Sequence, residues 1–225
     1  MTTTIKHICW DWNGTLLDDV ALVTQCVNHA ISKYNIAAIS VEYFRENFSF
    51  PSRIFYENLG MHLSDAEFHD LSLDFHELYD SKMTECKLCH NSLNCIKGIA
   101  ALGISQSILS ALPHELLLKH VAQHGLTAYF SKLSGGPNSF GAGKAARAKD
   151  HLQETGFQPE EVLFIGDTVH DLETARQAGV SNCILVAQGY CTIERLKAEH
   201  ELVIEVLPED ARNLLSDIGI PKSEI

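Results

Sequence analysis

Asp11-Trp12-Asn13-Gly14-Thr15-Leu16 follows an apolar run made of Ile5, Ile8, Cys9 and Trp10. The run reads as a short buried strand, which puts Asp11 where that strand ends. A carboxylate at the C-terminal end of a strand in an open α/β sheet lies in the crevice where such sheets bind ligands. Gly14 allows a sharp backbone turn there, and Thr15 adds a hydroxyl suited to an anionic ligand. A turn of this kind is common by itself, so its meaning depends on its company.

Three later segments supply that company. Ser107-Ile108-Leu109-Ser110 is an apolar strand ending in a hydroxyl. Lys144 follows a glycine-rich stretch, residues 134–143. Val162-Leu163-Phe164-Ile165-Gly166-Asp167 is a buried-type strand ending in Gly-Asp, with Asp171 four residues on. Together they offer strand-end carboxylates, a hydroxyl and a lysine in the order of successive strands. Such a set can hold a hard divalent cation and a phosphoryl group at once.

Working outward, apolar runs at Ile5–Trp10, Gln106–Ser110, Lys132–Ser134, Val162–Gly166, Cys183–Val186 and Leu202–Val206 are expected strands. Their near-continuous apolar character suits a parallel sheet covered on both faces. Ala145–Glu154, Leu172–Ala178 and Ile193–Glu199 read as the helices between them, with Gly179 as a stop signal. The stretch from Leu17 to about His90 breaks this alternation. Ala21–Lys33, Val41–Asn47, Ser52–Leu59 and Ala66–Lys82 all read as helices. In the last, Phe68, Leu71, Phe75, Leu78 and Tyr79 mark one apolar face, and Ser64-Asp65-Ala66-Glu67 is a capping-box pattern. The expected fold is therefore α/β: a Rossmann-like parallel sheet with helices on both faces, interrupted by a helical insert.

In these segments and their order, nearly the whole chain resembles the haloacid dehalogenase superfamily, in its branch similar to phosphoglycolate phosphatase. The resemblance implies an all-helical cap domain over residues 17–90, and an α/β catalytic core from residues 1–16 and 91–225. It also implies a Mg²⁺-dependent phosphatase acting on a small phosphorylated metabolite through an aspartyl-phosphate. Asp11 would be the nucleophile. Thr15, Ser110 and Lys144 would hold the phosphate, and Lys144 would also neutralise charge developing during transfer. Asp11, the main-chain carbonyl of Asn13, Asp167 and Asp171 would hold the metal. Asp171 has three readings: a metal ligand through water, a partner that orients Lys144, or an ordinary acid at a helix N-terminus.

In the insert, Phe48-Ser49-Phe50-Pro51-Ser52-Arg53 falls where such caps place a substrate-selecting loop. Phe50 and Arg53 are the candidates there, Arg53 for a substrate carboxylate or second phosphate, or else as a solvent-facing residue at a helix start. The loop has no lysine, which argues against Schiff-base chemistry. One departure matters. The family's phosphatases carry an acid–base aspartate where this chain has Asn13, and an amide has no titrating proton in the useful range. That leaves several readings: a phosphatase that favours good leaving groups or borrows another acid such as His170, a weak or inactive phosphometabolite-binding protein, another phosphoryl-transfer enzyme of the superfamily, or a trap in which the near-isosteric amide replaces the aspartate.

Composition sets the remaining bounds. The chain has 225 residues and a formal net charge of −12, which disfavours non-specific binding to nucleic acid or acidic membrane. Apolar runs are only strand-sized, and the N-terminus lacks a secretory pattern, so a cytoplasmic protein, monomer or homodimer, is expected. The seven cysteines read as reduced thiols. Cys86, Cys89, His90 and Cys95 form a compact group whose zinc reading competes with that of a thiol-rich junction between structural units.

Overall fold

The computed structural model describes residues 4–137, 143–217 and 219, so residues 138–142 of the glycine-rich stretch lie outside it. Strand β1 (His7–Trp10) is buried at every residue. Next come a two-residue strand β2 (Leu17–Asp18) and helices α1 (Val20–Ser32), α2 (Val41–Asn47), α3 (Ser52–Asn58) and α4 (Asp65–Lys82). The chain returns through β3 (Lys87–Leu88), antiparallel to β2 with Leu17 opposite Leu88. This small ribbon sets the two ends of the helical stretch side by side. The remainder alternates: α5 (Ser92–Ala101), β4 (Ser105–Pro113), α6 (His114–Gln123), β5 (Lys132–Gly136), α7 (Lys144–Thr155), β6 (Val162–Gly166), α8 (Val169–Gln177), β7 (Asn182–Val186), α9 (Ile193–Glu199), β8 (Val203–Ile204) and α10 (Arg212–Asp217).

The six longer-range strands form one parallel sheet in the order β5-β4-β1-β6-β7-β8. From β1 the chain first builds outward through β4 and β5, then crosses to build β6, β7 and β8 on the other side. The order reverses between β1 and β6, and a crevice opens at the carboxyl ends of the strands at such a point. Trp10 is in register with Ile108 of β4 and with Ile165 of β6. The residues that follow these strands therefore emerge at one edge.

Alternate strand residues serve opposite faces, as a period of two requires. Cys9, Val162 and Phe164 pack with Leu152 of α7, Leu172 and Ala175 of α8, and Leu196 of α9. Ile8, Trp10, Leu163 and Ile165 join a second cluster with residues of α5, α6 and α10. Both faces are dry, which is why these strands show no polar alternation. The second cluster continues without a break into the helices that follow β2, taking in Val27, Phe44 and Tyr79.

Helix α4 starts as its capping box dictates: Ser64 N–H donates to Glu67 Oε2 at 2.8 Å, and Glu67 N–H donates to Ser64 Oγ at 3.3 Å. Helices α5, α6 and α10 lie outside the elements that the sequence pattern picks out. For α5 the reason is tertiary, since a side chain at Gly98 would meet Ala211 Cβ at 2.7 Å. The glycine that weakens the helix signal is what admits the segment leading into α10. Arginines tie α2 to the sheet side. Arg45 donates to the carbonyls of Ala187 (2.6 Å) and Cys191 (3.1 Å), and Arg195 donates to those of Arg45 (2.7 Å) and Phe48 (2.8 Å). Among the described residues, no helix is long and apolar enough to cross a membrane.

Candidate active site

Asp11 follows β1, Asp167 follows β6, and Asp171 lies in the first turn of α8. One carboxylate oxygen of each lies within 4.8 Å of the others, and all three residues are buried. Among the described residues this is the one group of acids, histidines or cysteines arranged to hold a metal ion. Cys86, Cys89, His90 and Cys95 form no such group. Instead, Cys89 Sγ faces the Gly14 carbonyl at 3.7 Å and Cys95 Sγ the Pro208 carbonyl at 2.8 Å.

The approach of these acids depends on missing side chains. Gly14 has φ +75°, and a Cβ there would meet Asp167 Oδ2 at 2.4 Å. A Cβ on Gly189 would meet the same oxygen at 2.2 Å. The backbone N–H of Tyr190 then reaches Asp167 Oδ2 at 2.7 Å.

Lys144 opens α7 and points its buried ammonium between two acids, donating to Asp11 Oδ1 and, at 2.5 Å, to Asp171 Oδ1. The other oxygen of Asp171 accepts from Thr168 Oγ1 (2.7 Å), Thr168 N–H (3.0 Å) and Asp167 N–H (3.2 Å). Asp171 thus caps α8 and holds Lys144 at the same time. Thr15 Oγ1 lies between Asp167 Oδ1 (2.8 Å) and Asp11 Oδ2 (3.2 Å). Ser110 Oγ accepts from Leu112 N–H at 3.1 Å and donates to Asn13 Oδ1 at 3.4 Å. Lys132, the other lysine near this stretch, pairs at the surface with Glu154.

Burial raises Asp11 to about 6, with Lys144 opposing the rise. Burial, then the charges of Asp11 and Asp171, carry Asp167 well above the ordinary carboxylate range. Burial pushes Asp171 upward too, but Lys144 beside it and the Thr168 hydroxyl leave it below its ordinary value. Burial alone would discharge Lys144, and its two carboxylate partners keep it protonated. The centre therefore holds more negative charge than one lysine offsets, on hard oxygen donors that suit Mg²⁺.

Asn13 faces two ways. Its amide nitrogen donates to Asp19 Oδ2 at 2.8 Å and to Tyr79 Oη at 2.7 Å. Asp19 is buried and also accepts from Gly14 N–H (3.0 Å), Tyr79 Oη (2.5 Å) and Tyr190 Oη (2.8 Å). Burial raises its carboxyl, and these donors oppose the rise. Sequence reasoning missed Asp19 and Tyr190 and assigned Tyr79 only to an apolar helix face. The three are far apart in sequence, and only the second acid of Asp18-Asp19 hinted at a role.

Of the loop candidates, Phe50 lines the small cavity of about 40 Å³ that also touches Asp11, Ser110, Lys144 and Asp167. Its ring lies 5.1 Å from that of His170, on the same rim. Arg53 does not line it. Its guanidinium donates to the Leu63 carbonyl (2.9 Å) and Asp65 Oδ1 (2.8 Å), and lies 4.3 Å from the centre of the Phe68 ring.

Comparison with known proteins agrees with this geometry. The family model described as haloacid dehalogenase-like hydrolase matches residues 8–185. A phosphoglycolate phosphatase of Agrobacterium fabrum is 22% identical over 205 residues, covering 87% of this chain and 86% of that one. One of Vibrio vulnificus is 28% identical over 192 residues, covering 79% and 82%. A solved haloacid dehalogenase-like family hydrolase of Streptococcus pneumoniae superposes with a TM-score of 0.78 at 17% identity, covering 97% of this chain and 100% of that one.

Proposed function

The chain belongs to the haloacid dehalogenase-like hydrolase family, and from that premise we propose that it is a Mg²⁺-dependent phosphatase using Asp11 as nucleophile. The observation that carries the reading is the convergence of Asp11, Asp167 and Asp171 within 4.8 Å, with Lys144 bonded to two of them. The relatives named phosphoglycolate phosphatase point the same way.

In this scheme the phosphate of a small monoester enters the cavity beside Asp11, Ser110 and Lys144. A carboxylate oxygen of Asp11 bonds to phosphorus as the ester P–O bond breaks, and the electron pair leaves with the ester oxygen. Water then attacks phosphorus, which frees phosphate and restores the Asp11 carboxylate. Lys144 keeps Asp11 ionised and offsets charge on the phosphoryl oxygens, while Asp171 keeps Lys144 aimed. Asp11, Asp167 and the main-chain carbonyl of Asn13 would hold Mg²⁺, with Asp171 beside them. When bound, the ion supplies the positive charge that a carboxylate needs to approach a phosphate.

Residues 17–90 act as a cap over a core of residues 1–16 and 91–225, with the β2–β3 ribbon as its stem. Phosphate release from aryl, acyl and alkyl phosphates, with and without Mg²⁺, tests the reading. Release must require Mg²⁺ and vanish in Asp11→Ala. Tight binding of Mg²⁺ and a phosphate ester without release would favour the phosphometabolite-binding alternative, which the amide at position 13 supports.

A further inference from the structure

We infer that the cavity beside the phosphate site receives the substrate's leaving group, and that this group is an uncharged aryl ring. The inference rests on the phosphatase reading above and adds the substrate class. This cavity measures about 170 Å³ and shares Asn13, Phe50, Ala111 and Tyr190 with the small cavity around Asp11 and Lys144. A group leaving phosphorus at Asp11 would pass directly into it.

The walls are mostly apolar, with Ser52, Ser72 and His76 as further polar members. Val23 and Val27 come from α1, Phe48 and Phe50 from the loop after α2, and Phe68 and Phe75 from α4. Among the described residues, no lysine, arginine, aspartate or glutamate lines it. At its inner end the Tyr79 and Tyr190 hydroxyls both donate to Asp19, so these residues have their polar ends turned to that carboxylate. Arg53, the loop residue suited to a substrate carboxylate, is engaged with Asp65 and Leu63. A carboxylate placed in this cavity would be desolvated with no lysine or arginine to meet it, His76 being the one titratable base in the lining, and that is costly. A dry cavity of about 150 Å³ lined by aliphatic and aromatic side chains accepts benzene, so the volume suits one ring.

The chemistry at Asn13 agrees independently. With no acid at that position, and unless His170 on the same cavity supplies the proton, the leaving oxygen departs as an anion and takes its proton from water afterwards. A phenolic oxygen does so readily, with a pKa of about 10, whereas an alkyl alcohol lies near the value of water, roughly 16.

Rates of Mg²⁺-dependent phosphate release from phenyl phosphate, 4-carboxyphenyl phosphate and phosphoglycolate test the assignment. The carboxyl makes 4-carboxyphenolate no worse a leaving group, so preference between the two aryl esters reports the cavity. Phenyl phosphate should exceed both others in kcat/KM by roughly ten- to hundredfold, over phosphoglycolate through burial of one ring and over the carboxylated aryl ester through the cost of desolvating its carboxylate. Ser72→Arg, which sets a cation in the cavity wall, should narrow or reverse that ratio. Equal rates, or a preference for either carboxylated ester, would overturn the inference while leaving the phosphatase reading standing. If nothing is released from any ester, the phosphatase reading fails, and calorimetry with phenylphosphonate and phosphonoacetate decides the cavity. At least tenfold tighter binding of phenylphosphonate supports it, and parity refutes it.

Discussion

The Asn13 amide donates to Asp19 Oδ2 at 2.8 Å, so the amide at position 13 is matched to a buried carboxylate six residues further along. An aspartate at 13 would set two carboxylates against each other in a dry site, where they share a proton instead of both ionising. The amide is therefore the residue that fits this environment.

Asn13→Asp alone should accordingly give a destabilised enzyme with only a small gain on alkyl phosphates. Asn13→Asp with Asp19→Asn keeps one carboxylate and one amide in contact and frees position 13 to carry a proton. The double variant should raise kcat/KM for an alkyl phosphate by about 10²-fold or more, the usual worth of a general acid–base. Steady-state assays of both variants check this. Equal rates in the single and double variants would show that Asp19 does not constrain position 13.

Lys144 balances two buried acids, and its removal acts twice. Lys144→Met leaves Asp11 and Asp171 without their cation, a loss of roughly 3–5 kcal/mol for a broken buried pair. Turnover should fall by about 10²–10³-fold or more, as for loss of a charge-stabilising donor. Denaturant unfolding and initial rates measure the two effects. Asp171→Asn should share the loss of turnover, and should also destabilise by weakening the bonds that Thr168 N–H and Thr168 Oγ1 donate to residue 171 at the start of α8.

The acidic centre predicts how stability responds to pH and to Mg²⁺. Asp11 and Asp167 are both raised by burial, Asp11 to about 6. A carboxyl raised in the folded state stabilises it at low pH, and that contribution is lost as pH climbs through the folded value. Without cation, the melting temperature should decline from about pH 4, where the unfolded carboxyls ionise, through pH 6 for Asp11 and further for Asp167. Adding Mg²⁺ should reverse the decline, so the Mg²⁺-induced shift grows from pH 5 to pH 8. Asp167→Asn should stabilise the cation-free protein and abolish most of the shift. A shift that stays constant across this range would contradict the assignment.

A separate network governs the acid limb. His7 Nε2 meets Ser107 Oγ at 2.7 Å, Ser107 Oγ meets His151 Nε2 at 2.9 Å, and His151 Nδ1 meets Ser134 Oγ at 2.8 Å. Burial lowers His7 to about 4 and His151 to about 3. The unfolded chain protonates near 6.5 while the folded chain resists. Stability is complete above that value and is lost as pH falls from about 6.5 toward 4. The loss is roughly 3 kcal/mol for a shift of the size seen at His7. In His7→Leu, urea midpoints measured from pH 7 to pH 4 should fall less steeply than in the native chain.

The sequence by itself determined the frame. Continuous apolar runs alternating with helical periodicity specify a parallel sheet buried on both faces, because the central strands β1, β6 and β7 carry almost no residue suited to water on either side. Turn chemistry at Gly14 and the Gly166-Asp167 strand end mark where the chain leaves that sheet, so Asp11 and Asp167 could be read as crevice residues. The capping box at Ser64 was equally legible, being written in four consecutive residues.

Only the tertiary structure decided how that frame is furnished. Asp19, Tyr79 and Tyr190 surround Asn13 because three distant segments meet there, and no local pattern encodes such a meeting. Arg53 turns to Asp65 and Leu63, and Cys86, Cys89, His90 and Cys95 form no metal-holding group despite their closeness in sequence, since Cys89 Sγ faces the Gly14 carbonyl and Cys95 Sγ the Pro208 carbonyl. Local propensity and period act over a few residues. Charge pairing, cavity shape and the company of a buried polar atom depend on which surfaces the fold presses together.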